Sequence, residues 1–173
     1  MTNRAGLTVD QLIRALDLKP HPEGGYYRET YRCEELISQP CLPARFKGDR
    51  HYGTAIYYML KAGDVSRLHR IASDEVWHFY LGGPMTVVEL KPDGSSDQVV
   101  LGTDVIGRQR LQHVVKAGSW FGAYPNPGTD YALVGCTVAP GFDFVDLEIA
   151  RRKELLAKYP REEDTIRQLT SED

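Results

Sequence analysis

No apolar run in this sequence approaches the roughly 20 residues that a membrane-spanning helix needs. Residues 1–9 hold no long apolar stretch of the kind a secretory leader requires. Membrane insertion and secretion are therefore not expected, and the protein reads as cytoplasmic. Cysteine is scarce: Cys33, Cys41 and Cys136 are widely spaced, with no C-x-x-C pair. An odd, scattered set points to neither a disulfide framework nor a zinc or redox motif, so reduced thiols are expected. Cys136, inside the apolar run 132–138, is expected to pack. Excess basic charge is also missing. With 21 Lys and Arg against 24 Asp and Glu, the net charge is −3. That supplies no surface able to neutralise many phosphates, so nucleic acid is not an expected partner. Gly24 and Gly25 lack the P-loop or G-x-G-x-x-G context of a phosphate cradle and are expected to shape a turn. Solenoid repeats, low-complexity segments and a second-domain boundary are absent, which suggests a single domain over residues 1–173.

What is present is a globular composition, with 42% hydrophobic and 26% charged residues, well outside the charge-rich, aromatic-poor range of disordered chains. Thr8 and Gln11 have the spacing of a capping box, flanked by Leu7 and Leu12 as a hydrophobic staple. Val9, Leu12, Ile13 and Leu16 continue at helical spacing, predicting a helix over 8–18. Pro20, Pro22, Gly24 and Gly25 then break regular structure before a strand-like stretch at 26–32. Residues 34–49, with Pro40, Pro43 and Gly48, read as a loop long enough to serve as a pocket lid or partner contact. Beyond it come short runs rich in Val, Ile, Tyr and Phe at 54–60, 65–71, 75–81, 85–91, 98–101, 112–115, 120–123, 131–138 and 142–149. These are predicted strands, with Asp93-Gly94 as a hairpin turn. Many short strands without intervening helices predict an all-β antiparallel sandwich or barrel with a core over 20–149. Helices are expected at 150–158 and 162–169.

The most informative segment runs from Gly63 to Gly82, with the spacing G-x5-His69-x-Ile71-x3-Glu75-x6-G. This closely resembles the first motif of the cupin superfamily, G-x5-H-x-H-x3/4-E-x6-G, with Ile71 where the second His stands. The stretch from Lys116 to Phe121 is similar to the second motif, P-x-G-x2-H, with Lys116 in place of Pro and Phe121 in place of His. His21-Pro-Glu-Gly-Gly-Tyr-Tyr-Arg-Glu, Ser73-Asp-Glu-Val-Trp-His-Phe-Tyr and Ala132-Leu-Val-Gly-Cys-Thr-Val-Ala-Pro-Gly-Phe-Asp-Phe resemble signatures of one small single-domain cupin family of unknown function. The resemblance implies a double-stranded β-helix, the cupin jelly roll, with short N-terminal and C-terminal helices.

A typical cupin metal site combines three His and one Glu. Only His69 and Glu75 remain of that set here, so no metal cofactor is expected. The open alternative is a divalent transition metal held by His69, Glu75 and His78. In a regular strand Glu75 and Trp77 share one face and His78 the other, so that set requires a β-bulge. In the implied jelly roll, the strand face carrying Arg67, His69 and Ile71 lines the barrel mouth, and a polar mixture there is costly to bury unless a ligand uses it. Glu75 is a catalytic candidate or an ion-pair partner of Arg67 or Arg28. Arg28 either joins Glu29 on an edge strand or grips an anionic ligand. Trp77, Phe79 and Phe121 are core residues or ligand-stacking residues.

The resemblance also offers a functional precedent. Cupin-fold sugar-nucleotide epimerases abstract a proton next to a ketone with a His–Asp pair and a Tyr. By that analogy, His69 is expected as general base, Glu75 or Asp143 as orienter or acid, and Tyr58 as proton donor. The expected ligand is a small polar molecule, carbohydrate-like or a carbonyl compound. A non-catalytic binding module and an assembly scaffold remain as alternatives. A homodimer is expected from partly hydrophobic strand edges and an N-terminal strand free to cross to a neighbour.

Overall fold

A computed structural model describes residues 8–172. Helix α1 (Val9–Ala15) opens the described chain, and the capping box forms. Thr8 N donates to Gln11 Oε1 at 2.9 Å, and Gln11 N donates to Thr8 Oγ1 at 3.3 Å. Leu7, the other half of the expected staple, lies outside the described residues. The strands follow as β1 (Lys19–Pro20), β2 (Tyr26–Arg32), β3 (Leu36–Ile37), β4 (Arg50–His51), β5 (Thr54–Lys61), β6 (Ser66–Arg70), β7 (Asp74–Gly82), β8 (Met85–Leu90), β9 (Ser96–Leu101), β10 (Gln112–Val115), β11 (Trp120–Pro125), β12 (Tyr131–Ala139) and β13 (Glu148–Ile149). Helices α2 (Arg152–Lys158) and α3 (Glu163–Gln168) come last.

The strands form a six-stranded sheet in the order β1-β2-β5-β12-β7-β10 and a five-stranded sheet in the order β13-β6-β11-β8-β9, with β3 and β4 as a separate pair. Every strand-to-strand pairing is antiparallel. The fold is the expected jelly roll of antiparallel sheets with a few short helices.

Period-2 alternation decides which residues reach the interior. On β5, Ile56, Tyr58 and Leu60 face the core between the sheets, while Met59 turns outward to meet Leu12 and Leu18 around α1. On β8, Met85 and Val87 face inward and Val88 and Leu90 face outward, yet all of its residues are buried. The second layer comes from the C-terminal helices, whose Leu155, Tyr159, Ile166 and Leu169 pack on Leu68, Val88, Leu90 and Trp120. Strand β8 is therefore covered on both faces.

Two sequence expectations differ from the structure. Only Glu148 and Ile149 of the expected strand 142–149 pair with β6. Upstream, the Asp143 side chain accepts from Val145 N at 3.0 Å and caps the single 3-10 turn Phe144–Asp146. A short polar side chain thus offers the backbone a local alternative to the ladder. The loop 34–49 is partly ordered by the β3–β4 pair and a 3-10 turn, Gln39–Cys41. It does not close over the interior cavity, since none of its residues lines it.

Candidate functional site

Between the two sheets lies a cavity of about 250 Å³, lined in part by His21, Glu23, Tyr58, His69 and Glu75. Glu29 and Phe144, both exposed, mark its opening. Glu23 arrives through the turn after β1. Gly24 (φ 119°) and Gly25 (φ 68°) hold left-handed backbone there, and a Cβ on Gly24 would stand 2.1 Å from the Val65 carbonyl oxygen. Only glycine tolerates both the conformation and that approach. The turn drives the Glu23 side chain inward, where the residue is 6% exposed.

Strand β6 supplies the partners of Glu23. Its pairing with β11 slips between Phe121↔His69 and Ala123↔Ser66, a β-bulge. The irregularity re-aims side chains, so that Ser66 and His69 both reach one carboxyl group. Ser66 Oγ donates to Glu23 Oε1 at 2.9 Å, and His69 Nε2 lies 3.0 Å from Glu23 Oε2. His69 Nδ1 is 2.7 Å from the Arg67 carbonyl oxygen. A carbonyl only accepts, so Nδ1 carries a hydrogen. Nε2 points at the Glu23 carboxyl group, in contact with Oε2. Both ring nitrogens of His69 are engaged, and its ring packs on Phe121 with centroids 4.1 Å apart.

His21 completes this corner. Its Nδ1 accepts from Glu23 N at 3.3 Å, so its 3.5 Å approach to Glu23 Oε2 is a contact without a hydrogen bond. Burial lowers the His21 pKa, against the pull of Glu23 and with a smaller push from His69, so the ring is neutral at pH 7. Its edge meets Tyr27 and its face lies near Phe144.

Glu75 projects into the same cavity from β7 and is 8% exposed. Burial first, and then the charge of Glu23, raise its pKa to about 8, weakly opposed by the Cys136 thiol. At pH 7 it is therefore mostly a neutral acid and a hydrogen-bond donor. Burial also pushes the Cys136 thiol up. Tyr58 donates to the Gly24 carbonyl at 2.8 Å, and burial together with Glu23 raises its pKa well above the ordinary value.

Of the residues singled out from sequence, His69, Glu75 and Tyr58 come together in the cavity. Asp143 does not, because its side chain is the cap of the 3-10 turn. Arg28 points outward and donates to the Leu16 carbonyl at 3.2 Å. Arg67, expected on the His69 face, is turned away by the bulge. Its guanidinium braces the turn backbone through the carbonyls of Pro22 and Glu23. Neither arginine pairs with Glu75. Trp77, Phe79 and Phe121 are core residues and do not line the cavity. His69 holds Nδ1 at the Arg67 carbonyl and turns Nε2 to Glu23. The residues that sequence reasoning passed over as site groups are His21 and Glu23. Their signal was a His and a Glu two apart, immediately before a Gly-Gly turn.

The residues present do not fit a cupin metal centre. His78 lies on the outer face, with Nε2 3.1 Å from Thr137 Oγ1 and Nδ1 2.8 Å from Gln112 Nε2. The bulge on β7 falls at Tyr80, where the pairing jumps from Phe79↔Val134 to Leu81↔Leu133, and leaves His78 outside. Among the described residues no three His, Cys, Asp or Glu side chains are grouped to hold a metal ion. Treatment with EDTA is accordingly expected to leave the thermal midpoint unchanged. A clear fall that added Zn²⁺ or Mn²⁺ restores would contradict this.

Residues 10–150 match the family model described as Cupin superfamily (DUF985). The chain belongs to this cupin family. The cupin is 28% identical over 148 residues to the uncharacterized protein YML079W of Saccharomyces cerevisiae, covering 80% of this chain and 73% of that one. It is similar in structure to protein SO0799 of Shewanella oneidensis, with a TM-score of 0.85 at 35% identity, covering 96% of this chain and 99% of the other. A hypothetical protein from Leishmania major gives a TM-score of 0.85 at 32% identity, with 95% and 99% covered. Oxalate decarboxylase from Bacillus subtilis shares the fold alone, with a TM-score of 0.54 at 15% identity, covering 89% of this chain and 37% of that one.

Proposed function

We propose that the barrel cavity of this cupin binds a small polar carbonyl or carbohydrate-like compound and moves a proton on it. One observation carries this reading: two buried carboxyl groups share one cavity in opposite environments. Glu23 faces the donors Ser66 and His69, whereas Glu75 has no cationic partner and holds its proton. Two carboxyl groups held in unlike surroundings suit separate acid and base roles.

In the proposed step, Glu23 takes the proton from the carbon next to the carbonyl. The C–H electron pair forms the new C=C bond, and the carbonyl oxygen takes the Glu75 proton, giving an enol. When the deprotonated carbon bears a hydroxyl group the product is an enediol. Glu23 then delivers its proton to the former carbonyl carbon while that other hydroxyl gives its proton to Glu75 and its oxygen becomes the new carbonyl, which completes an isomerisation. His69 and Ser66 orient the base. Epimerisation calls for a second donor on the opposite face, and the Tyr58 hydrogen is committed to Gly24.

The test is proton NMR in D₂O with a set of uncharged aldoses and ketoses. Wild-type protein should wash deuterium into the position next to the carbonyl, and Glu23→Gln should slow this by about 10²–10⁴-fold. Binding without exchange for every compound would favour the second reading, a non-catalytic binding pocket, which the committed Tyr58 hydroxyl supports. The expected homodimer belongs to the same proposal, since β1 and β10 are the open edges of the six-stranded sheet. A single monomeric species in analytical ultracentrifugation would remove it.

A further inference from the structure

Resting on the reading of the cavity as a ligand site, we infer that it is built for an uncharged ligand and turns away compounds bearing phosphate or carboxylate groups. Among the described residues the lining contains Glu23, Glu29 and Glu75 but neither Lys nor Arg. Recognition of phosphate or carboxylate ordinarily uses a cation, most effectively a bidentate guanidinium. Among the described residues, the arginines near the cavity are committed elsewhere. Arg28 reaches the Leu16 carbonyl, and Arg67 braces the backbone of the 22–24 turn. Arg32 grips both oxygens of Glu29, at 3.0 and 2.7 Å, and also the Phe142 carbonyl. An anion entering this small space would lose its hydration without gaining a counter-charge.

Cationic ligands are disfavoured by the same inventory. Glu23 already faces His69, Glu29 is paired with Arg32, and Glu75 is neutralised by its own proton at pH 7. Among the described residues no carboxylate without a partner faces the cavity. What remains for a ligand is a hydrogen-bond donor at Glu75, a neutral ring edge at His21, and apolar walls from Ile56, Ile71, Val138 and Phe142. That surface suits a compact uncharged hydroxycarbonyl compound with one apolar side. The cavity, at about 250 Å³, falls below the roughly 300–1,000 Å³ of pockets for larger ligands. The substrate class thereby departs from the sugar-nucleotide precedent of the cupin fold, whose phosphates would find no partner here.

The experiment measures binding, apart from turnover, by isothermal titration and saturation-transfer NMR at pH 7 on the full chain. Matched pairs serve as probes: dihydroxyacetone and its phosphate, lactamide and lactate, erythrose and its phosphate. The uncharged member of each pair is expected to bind at least about tenfold more tightly. Glu29→Lys leaves Arg32 without its partner and places cations at the opening, so affinity for the anionic members should rise by about tenfold or more. Anionic members binding wild type as tightly as their uncharged twins would overturn the inference while leaving the cavity a ligand site. Failure of every pair to bind would overturn the underlying reading itself.

Discussion

Raising the pH from 6 to 9 is expected to abolish ligand binding and proton transfer with a midpoint near 8, where the buried Glu75 acid loses its proton. Below that point Glu75 donates to a ligand oxygen. Above it, a carboxylate faces the same oxygen and repels it. Glu75→Gln keeps a neutral donor of similar shape, so binding should persist to pH 9 in the variant while exchange into the ligand is lost. The groups that face or flank Glu75 are Glu23, Cys136, His21, His69 and Tyr58. Of these, Cys136 and Tyr58 are pushed above their ordinary range and stay protonated through this window.

Stability should follow the same proton. The folded-state pKa of Glu75 is about 8 against an ordinary 4.5. Between those values the folded protein holds a proton that the unfolded chain has released, so stability falls as pH rises through the window and levels off above it. Loss of that slope in Glu75→Gln, worth as much as about 4 kcal/mol, is read from urea denaturation at pH 5 and pH 8.5. His21 works in the opposite sense below its ordinary 6.5, because its pKa is lowered by burial. Comparison with the Gln variant cancels its contribution and isolates Glu75. A wild-type profile parallel to that of the variant would show that Glu75 is ionised in the fold.

Asp146→Ala is expected to destabilise the protein by about 3–5 kcal/mol, among the largest single-residue effects outside the main core. Arg50 Nε and Nη2 hold the Asp146 carboxylate at 2.7 and 2.5 Å, with side chains only 4% and 7% exposed. The guanidinium also lies over the Phe46 ring, 5.6 Å from its centroid, and donates to the Asp49 carbonyl. Removing the carboxylate leaves a buried cation without its hydrogen-bonded counter-charge, with only the more distant Asp143 and Asp49 acting on it, and that costs more than the pair itself is worth. Replacing both partners, Arg50→Met with Asp146→Leu, should recover most of the loss. The pair ties the segment carrying Phe142 and Phe144 to β4, so the single variant should also weaken ligand binding at the cavity opening. Urea denaturation of the two variants checks the claim, and equal losses in both would show that the ion pair contributes net stability.

Much of the framework was legible in the sequence because its determinants are local. Alternating apolar runs, the Thr8–Gln11 capping box, the Asp93-Gly94 turn and the His69-x5-Glu75 spacing depend on near neighbours, and each element formed close to where it was expected. The strand expected over 142–149 failed because Asp143 offered a local hydrogen bond that periodicity does not register. The site divided along the same line. His69 and Glu75 were found because the stretch from Gly63 to Gly82 resembles the first cupin motif, whose residues lie close together in the chain. Glu23 was missed because it lies 46 residues before His69 in the chain, and only the Gly24-Gly25 turn and the β6 bulge bring them within 3.0 Å. The outward turn of Arg67 came from that bulge, a register slip that leaves no mark on the hydrophobic pattern. That Glu75 keeps its proton was also beyond the sequence. Glu23 and Glu75 are the same residue type, and their difference arises from desolvation and from the donors that chain-distant strands place beside one and withhold from the other.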